Sequence, residues 1–183
     1  MDISPKPTAS NENETASHPV LKDHSFPVGS IGPEGQELTF WKCNQANTYY
    51  DYLPDSDGTT YVRLRDGANI WQDIELPVAA NPLIEGRPEY KLGCRYNPER
   101  LPGCRLTVFL IKDGGDDGDK IFDAPLGPEN KKVTWTTLDA KRIMDVPEHT
   151  QKLRVKFTTP TGKGGYILLT EAVMELLLPA FDS

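Results

Sequence analysis

Ala68-Asn69-Ile70-Trp71-Gln72-Asp73-Ile74-Glu75-Leu76 is the stretch that decides the fold. Ile70, Ile74 and Leu76 share one parity, while Trp71, Asp73 and Glu75 share the other. Side chains alternate across a strand, so this pattern describes a strand with one buried and one solvated face. Gln72 has the parity of its apolar neighbours, so its amide must find buried hydrogen-bond partners.

Outward from this strand the same period recurs. Thr60–Leu64 precedes it across Arg65-Asp66-Gly67, which reads as an Asp-Gly hairpin turn. Tyr90, Leu92, Cys94 and Tyr96 alternate with Lys91, Gly93 and Arg95. After the turn 97–103 comes Cys104–Lys112, with Leu106, Val108 and Leu110 facing inward. Lys120–Phe122, Lys132–Leu138 around Trp135, and Leu153–Thr159 complete the internal set; Trp135 is assigned to the core. The last stretch, Gly165–Leu178, has two readings. Glu171–Leu177 contains strong helix formers. The absence of a capping sequence, and Gly162–Gly165 reading as a hairpin loop, favour two strands, Gly165–Leu169 and Ala172–Leu178, broken or bulged near Thr170-Glu171.

The pattern amounts to roughly eight to ten short strands without the crossover helices a parallel α/β sheet requires. An all-β, two-sheet antiparallel sandwich is the expected fold. With 16 prolines and 15 glycines to supply turns, 183 residues suit one core. Met1–Pro19 is rich in Ser, Thr, Asn, Glu and Pro and has almost nothing apolar to bury. The expected division is therefore a disordered tail or linker over 1–19 and a sandwich domain over 20–183.

A formal charge of −7 argues against a nucleic-acid partner, whose phosphates require a basic face. No apolar run is long enough to cross a bilayer, since Tyr166–Phe181 is interrupted by Glu171 and Glu175. The start shows no secretory signal, so the chain as written reads as soluble and cytoplasmic. Cys43, Cys94 and Cys104 match no zinc spacing. Cys94 and Cys104 share apolar parity, leaving open a disulfide between them or buried reduced thiols.

The order of features carries a resemblance. Asp23-His24-Ser25-Phe26 is followed by Trp41, then Tyr61-Val62-Arg63-Leu64 and Ala68–Leu76. Glu89-Tyr90-Lys91-Leu92, Leu106-Thr107-Val108, Trp135, Val146-Pro147, Leu153-Arg154-Val155 and Val173–Leu178 come next. From Lys22 to Pro179 this resembles the galactose-binding-like jelly roll of carbohydrate-binding modules. The resemblance implies a sandwich that holds sugar and places Gln72 inside as a structural residue. It also implies a structural calcium ion, but Phe26 is followed by Pro27 and the late acidic pair is replaced by Thr170-Glu171-Ala172-Val173. Asp23 and Glu171 are the nearby acids left for it.

A second calcium candidate is the acidic glycine loop with Asp113, Asp116, Asp117 and Asp119, whose hard oxygens suit that ion. An EF-hand beginning at Asp113 would put Ala124 where the final carboxylate is needed, so a solvated acidic hairpin is the competing reading. No other cofactor is expected.

Sugar binding needs an aromatic platform beside hydrogen-bonding groups. Trp41, Tyr49, Tyr50 and Tyr52 fall in a loop-like stretch with Asn44, Gln45, Asn47 and Asp51, and Trp71 has outward parity. The expected ligand residues are Trp41, Asn44, Asn47, Tyr50, Arg63 and Trp71. The expected activity is non-catalytic, lectin-like carbohydrate binding, the alternative being a structural or protein-interaction module of a larger assembly. Three histidines, with neither a nucleophile elbow nor a phosphate loop, give catalysis little to work with. Oligomeric state is open.

Overall fold

The computed structural model describes residues 17–19, 21–22, 25–26, 29–33, 40–44, 50–54, 60–76, 89–99, 101, 103–112, 114–127, 135–140, 146–147 and 150–177. Twelve strands form in chain order: β1 (Ser17–Pro19), β2 (Ile31–Pro33), β3 (Trp41–Cys43), β4 (Tyr50–Pro54), β5 (Thr60–Arg65) and β6 (Asn69–Glu75), then β7 (Glu89–Glu99), β8 (Arg105–Ile111), β9 (Asp117–Pro125), β10 (Thr136–Ala140), β11 (Lys152–Thr158) and β12 (Tyr166–Leu177). No helix occurs among the described residues.

Two six-stranded sheets result. Sheet A runs β10-β7-β12-β5-β4, with β1 also on β12, and sheet B runs β2-β3-β6-β11-β8-β9. All pairings are antiparallel except β2 on β3, an exception to the expected antiparallel rule. The fully buried Trp41, Tyr90, Phe26, Phe157, Leu64, Ile70, Leu106, Leu153 and Ile167 belong to the core between the sheets.

The alternation in β6 is realised as read: Ile70, Gln72, Ile74 and Leu76 are buried, and Asp73 and Glu75 are exposed. Gln72 is paired with one backbone residue in both directions. Its Nε2 donates to the Lys22 carbonyl at 3.0 Å, and its Oε1 accepts the Lys22 N–H at 2.8 Å. A buried amide is tolerated because both ends are satisfied.

Four readings need correction. First, Asp66-Gly67 does not close a hairpin, because β5 lies in sheet A and β6 in sheet B. Ala68 N–H closes the turn on Arg65 O at 3.2 Å, and Gly67 has φ +76. Positive φ only at the third turn residue is the type II pattern, whose twist suits a corner better than a hairpin.

Second, Gly162–Gly165 is a corner of the same kind, joining β11 in sheet B to β12 in sheet A. The two corners brace each other. Asp66 Oδ2 accepts N–H bonds from Gly162 and Gly164, and Thr159 Oγ1 accepts Ala68 N–H while donating to Arg65 O.

Third, the stretch from Trp41 to Tyr52 is not simply loop, since β3 and β4 form within it. Fourth, Ser17–Pro19 lies inside the stretch assigned to the tail, yet it forms β1 against Glu175–Leu177 of β12. Backbone pairing needs no apolar side chain, which is why composition did not mark it.

The C-terminal stretch is a strand. β12 is continuous, with a bulge between Thr170 and Val173 where Glu171 takes φ +48. Cys43, Cys94 and Cys104 are buried free thiols. Burial pushes the Cys94 and Cys104 thiols up to about 12.

Candidate functional site on the outer face of sheet A

The expected ligand residues do not assemble. Trp41 is fully buried, its ring centroid 5.0 Å from Phe26 and 5.8 Å from Phe157, so it is a core residue and cannot serve as a sugar platform. The polar run that follows, with Asn44, Gln45 and Asn47, hid the burial of β3. Asn44 is exposed but occupied: Oδ1 accepts Asn69 N–H at 3.0 Å and Nδ2 donates to Gly67 O at 3.1 Å, pinning the end of β3 to the corner. Asn47 lies outside the described residues, and Tyr50 is described only as a backbone position opposite Leu64. Tyr52 packs against the core, and its hydroxyl accepts Ile31 N–H at 2.7 Å.

Arg63 and Trp71 lie on opposite outer faces, in sheets A and B respectively.

Sheet B's outer face is a lattice of opposite charges. Arg154 donates to Asp73 through Nε and Nη2, at 2.6 and 2.8 Å, and through Nη1 to Asp117 at 2.9 Å. Lys156 joins Asp117 at 2.8 Å, Arg105 and Lys120 share Asp123, and Lys152 meets Glu75. The Arg154 guanidinium sits 5.4 Å over the Trp71 ring, and Lys156 approaches the Phe109 ring.

The acidic loop feeds the same lattice. Partial burial works against ionisation of Asp117, but the hydrogen bonds from Lys156 and Arg154 outweigh it and hold its pKa low. That carboxylate is committed to two cations. Asp116 and Asp119 are exposed, and Asp113 lies outside the described residues. Among the described residues, no three His, Cys, Asp or Glu side chains gather as metal ligands. Glu171, left by the resemblance for a family calcium ion, instead pairs with Arg95 at 3.1 Å; Asp23 lies outside the described residues.

Sheet A's outer face differs. Strand parity places Asp51 (β4), Tyr61, Arg63 and Arg65 (β5), Tyr166, Leu168 and Thr170 (β12), and Arg95 and Asn97 (β7) on it, opposite the buried set Val62, Leu64, Ile167, Leu169, Cys94 and Tyr96. Trp135, just before β10, joins them and is only partly buried, which corrects its assignment to the core. The Trp135 and Tyr61 centroids are 5.5 Å apart, edge to face, and Arg95 lies 5.4 Å from the Trp135 centroid. Since Arg95 pairs with Thr170 across β7 and β12, the indole bridges β7 and β5 above Thr170. Arg63 lies 5.3 Å over the Tyr166 ring.

Beneath these side chains the floor is Asn97, Thr170 and Leu168, exposed by only 1 %, 7 % and 9 %. Thr170 Oγ1 donates to Thr60 O, but among the described residues Asn97 Nδ2 has no partner. A buried amide donor without an acceptor is costly, and at 1 % exposure Asn97 is closed off from the surface. Asp51 Oδ2 accepts from Arg63 Nε and Nη2, at 3.1 and 2.7 Å, and from Arg65 Nη2 at 2.8 Å. The Arg65 and Arg63 hydrogen bonds hold the Asp51 pKa below its ordinary value. This face combines flat apolar rings, planar donors and an ionised acceptor, the groups that grip a sugar's faces and edges.

Comparison with known proteins gives the same fold. The chain is similar to the carbohydrate-binding module TmCBM61, solved in complex with β-1,4-galactotriose, at TM-score 0.56 and 14 % identity over 86 % of this chain and 97 % of that one. It is also similar to the enzymatically active domain of bacteriophage CBA120 tailspike protein 4, at TM-score 0.54 and 14 % identity over 87 % of this chain. The chain spans 21 % of that tailspike structure. No family model and no curated protein matches the sequence.

The chain has the two-sheet β-sandwich fold of these structures. At this identity the likeness is one of fold.

Tyr61, Tyr166 and Arg95 were missed as site residues. The outward parity of Tyr61 beside Arg63 was legible in β5; the meeting of Trp135 with Tyr61 was not, because β10 and β5 are separated in the sheet by β7 and β12.

Proposed function

We propose that this domain is a non-catalytic carbohydrate-binding module that holds its glycan on the outer face of sheet A. One observation carries the reading: Tyr61, Trp135 and Tyr166 are interleaved there with Arg63, Arg95 and Asp51. Pyranose rings offer apolar C–H faces to aromatic side chains and hydroxyls to planar donors and carboxylates. The fold shared with a module whose structure holds β-1,4-galactotriose supports the reading.

Two guanidiniums hold Asp51 ionised. That suits a hydroxyl acceptor and opposes use as a general acid, which needs a raised pKa. On sheet B the Arg154 guanidinium over Trp71 is ion-paired to Asp73 and Asp117 and only 11 % exposed. Arg63 and Arg95 on sheet A are 30 % and 40 % exposed and so more open to a ligand.

The test is calorimetric titration with a set of oligosaccharides headed by β-1,4-galactotriose, on the native chain and on Trp135→Ala. Binding to the native chain, weakened about tenfold or more in the variant, is the expected result, a loss of about 1.4 kcal/mol. If no glycan binds, or if Trp135→Ala binds as the native chain does, this reading fails and the structural or protein-interaction alternative takes its place.

A further inference from the structure

Arg63 and Arg65 stand two residues apart on one face of β5, and a single carboxylate, Asp51, serves both. Like charges so placed repel, and Asp51 neutralises one of the two.

The two guanidiniums are held differently. Arg63 spends Nε and Nη2 on Asp51 and lies over Tyr166, which fixes it. Arg65 spends only Nη2 on Asp51 and its side chain is 50 % exposed. A guanidinium has five N–H donors in a planar fork, so Arg65 retains donors for a second carboxylate. Its cross-strand partner is Tyr166, which places an aromatic ring beside the open fork.

We propose that the sheet A face recognises an acidic sugar, with Arg65 taking the anionic group of the residue that lies against Tyr166. This inference rests on the carbohydrate reading above and narrows it to glycans bearing an anion on the ring. A hexuronate carboxylate matches the planar fork; a sulfate ester offers the same charge on a tetrahedral centre. A planar carboxylate can take two parallel N–H bonds from the Arg65 donors that Asp51 leaves free, which makes it the better geometric fit. Asp51 competes with the ligand for both guanidiniums, so its removal strengthens binding to an acidic sugar.

The experiment compares neutral β-1,4-galactotriose, a tri-galacturonate and a sulfated galacto-oligosaccharide in calorimetric titrations at low and high salt. Native protein, Arg65→Gln and Asp51→Asn are each measured, with circular dichroism establishing that the variants are folded. The tri-galacturonate is expected to bind about tenfold more tightly than the neutral sugar at low salt and to lose that advantage at high salt. Arg65→Gln lowers affinity for the tri-galacturonate by more than affinity for the neutral sugar and so removes the advantage, while Asp51→Asn enlarges it.

Tighter binding of the sulfated sugar than the uronate overturns the carboxylate assignment. Equal binding of neutral and acidic sugars overturns the inference but leaves the carbohydrate reading standing. Binding of none of the three removes both. An acidic preference that survives in Arg65→Gln, or weakens in Asp51→Asn, shows that the anion is held elsewhere.

Discussion

The Trp135 and Tyr61 rings meet edge to face at 5.5 Å and 76°, joining β10 at the edge of sheet A to β5 three strands away. The contact crosses β7 and β12 on the outside of the sheet, so it organises a surface and adds nothing to the core between the sheets. Such a pair is worth about 0.5–1.5 kcal/mol beyond area burial. Trp135→Ala should therefore lower unfolding stability by only about 1–2 kcal/mol, while glycan affinity falls about tenfold or more. Chemical denaturation alongside titration separates the two effects. A loss of several kcal/mol would mean that Trp135 is a core residue after all.

Trp41 and Trp71 predict the opposite pattern from one another. Trp41 packs fully buried against Phe26 and Phe157, so Trp41→Ala should cost about 3–5 kcal/mol. Trp71 lies on the charged face under Arg154, and Trp71→Ala should cost about 1 kcal/mol. Urea unfolding of both variants checks the ranking, and neither substitution should weaken glycan binding in protein that remains folded.

Tyr90 is 1 % exposed and, among the described residues, its hydroxyl has no hydrogen-bond partner. Burial pushes its pKa up to about 12, so the phenol stays neutral. An unpaired buried hydroxyl costs about 1–3 kcal/mol, and Tyr90→Phe removes it while keeping the ring. The variant should be more stable than the native chain by about 1 kcal/mol. A drop in melting temperature would reveal an ordered partner for the hydroxyl.

Acid should weaken the domain through three aspartates. Hydrogen bonds from Arg65 and Arg63 lower Asp51, and those from Arg105 and Lys120 lower Asp123. Partial burial raises Asp117, but Lys156 and Arg154 outweigh it. A carboxyl whose folded pKa lies below its unfolded value binds fewer protons when folded, so its contribution is present above the unfolded pKa. It is lost as pH falls through the folded one, beginning below about pH 4. Melting temperature measured against pH should fall there, and Asp117→Asn should flatten part of that fall. An unchanged acid limb in that variant would show that Asp117 is not held low.

The strands were legible where a single period sorted buried from exposed residues, as in β6, β7, β8 and β11. Even the irregularity at Thr170-Glu171 was visible, because two apolar runs changed phase there. Partner choice was not. Asp66-Gly67 reads as a turn in either setting, and only the packing of β6 on β11 rather than on β5 shows that it joins two sheets. Short β1, β2 and β3 offered too few residues to show a period, so Trp41 was taken for a loop aromatic. The candidate site was legible only in β5, where Arg63 was expected and Tyr61 and Arg65 share its parity. The remaining members are drawn from β4, β7, β12 and the residue before β10, and no spacing along the chain encodes that meeting.

The three tryptophans provide the most direct test of glycan binding on sheet A, since Trp41 is in the core, Trp71 on the outer face of sheet B and Trp135 on the outer face of sheet A. Each gives one indole N–H signal in a nitrogen–proton correlation spectrum, assigned by single Trp→Phe variants. On titration with a bound oligosaccharide, the Trp135 signal should shift progressively to saturation while those of Trp41 and Trp71 stay in place. A shift of Trp71 with Trp135 unmoved would put the ligand on sheet B and contradict the account.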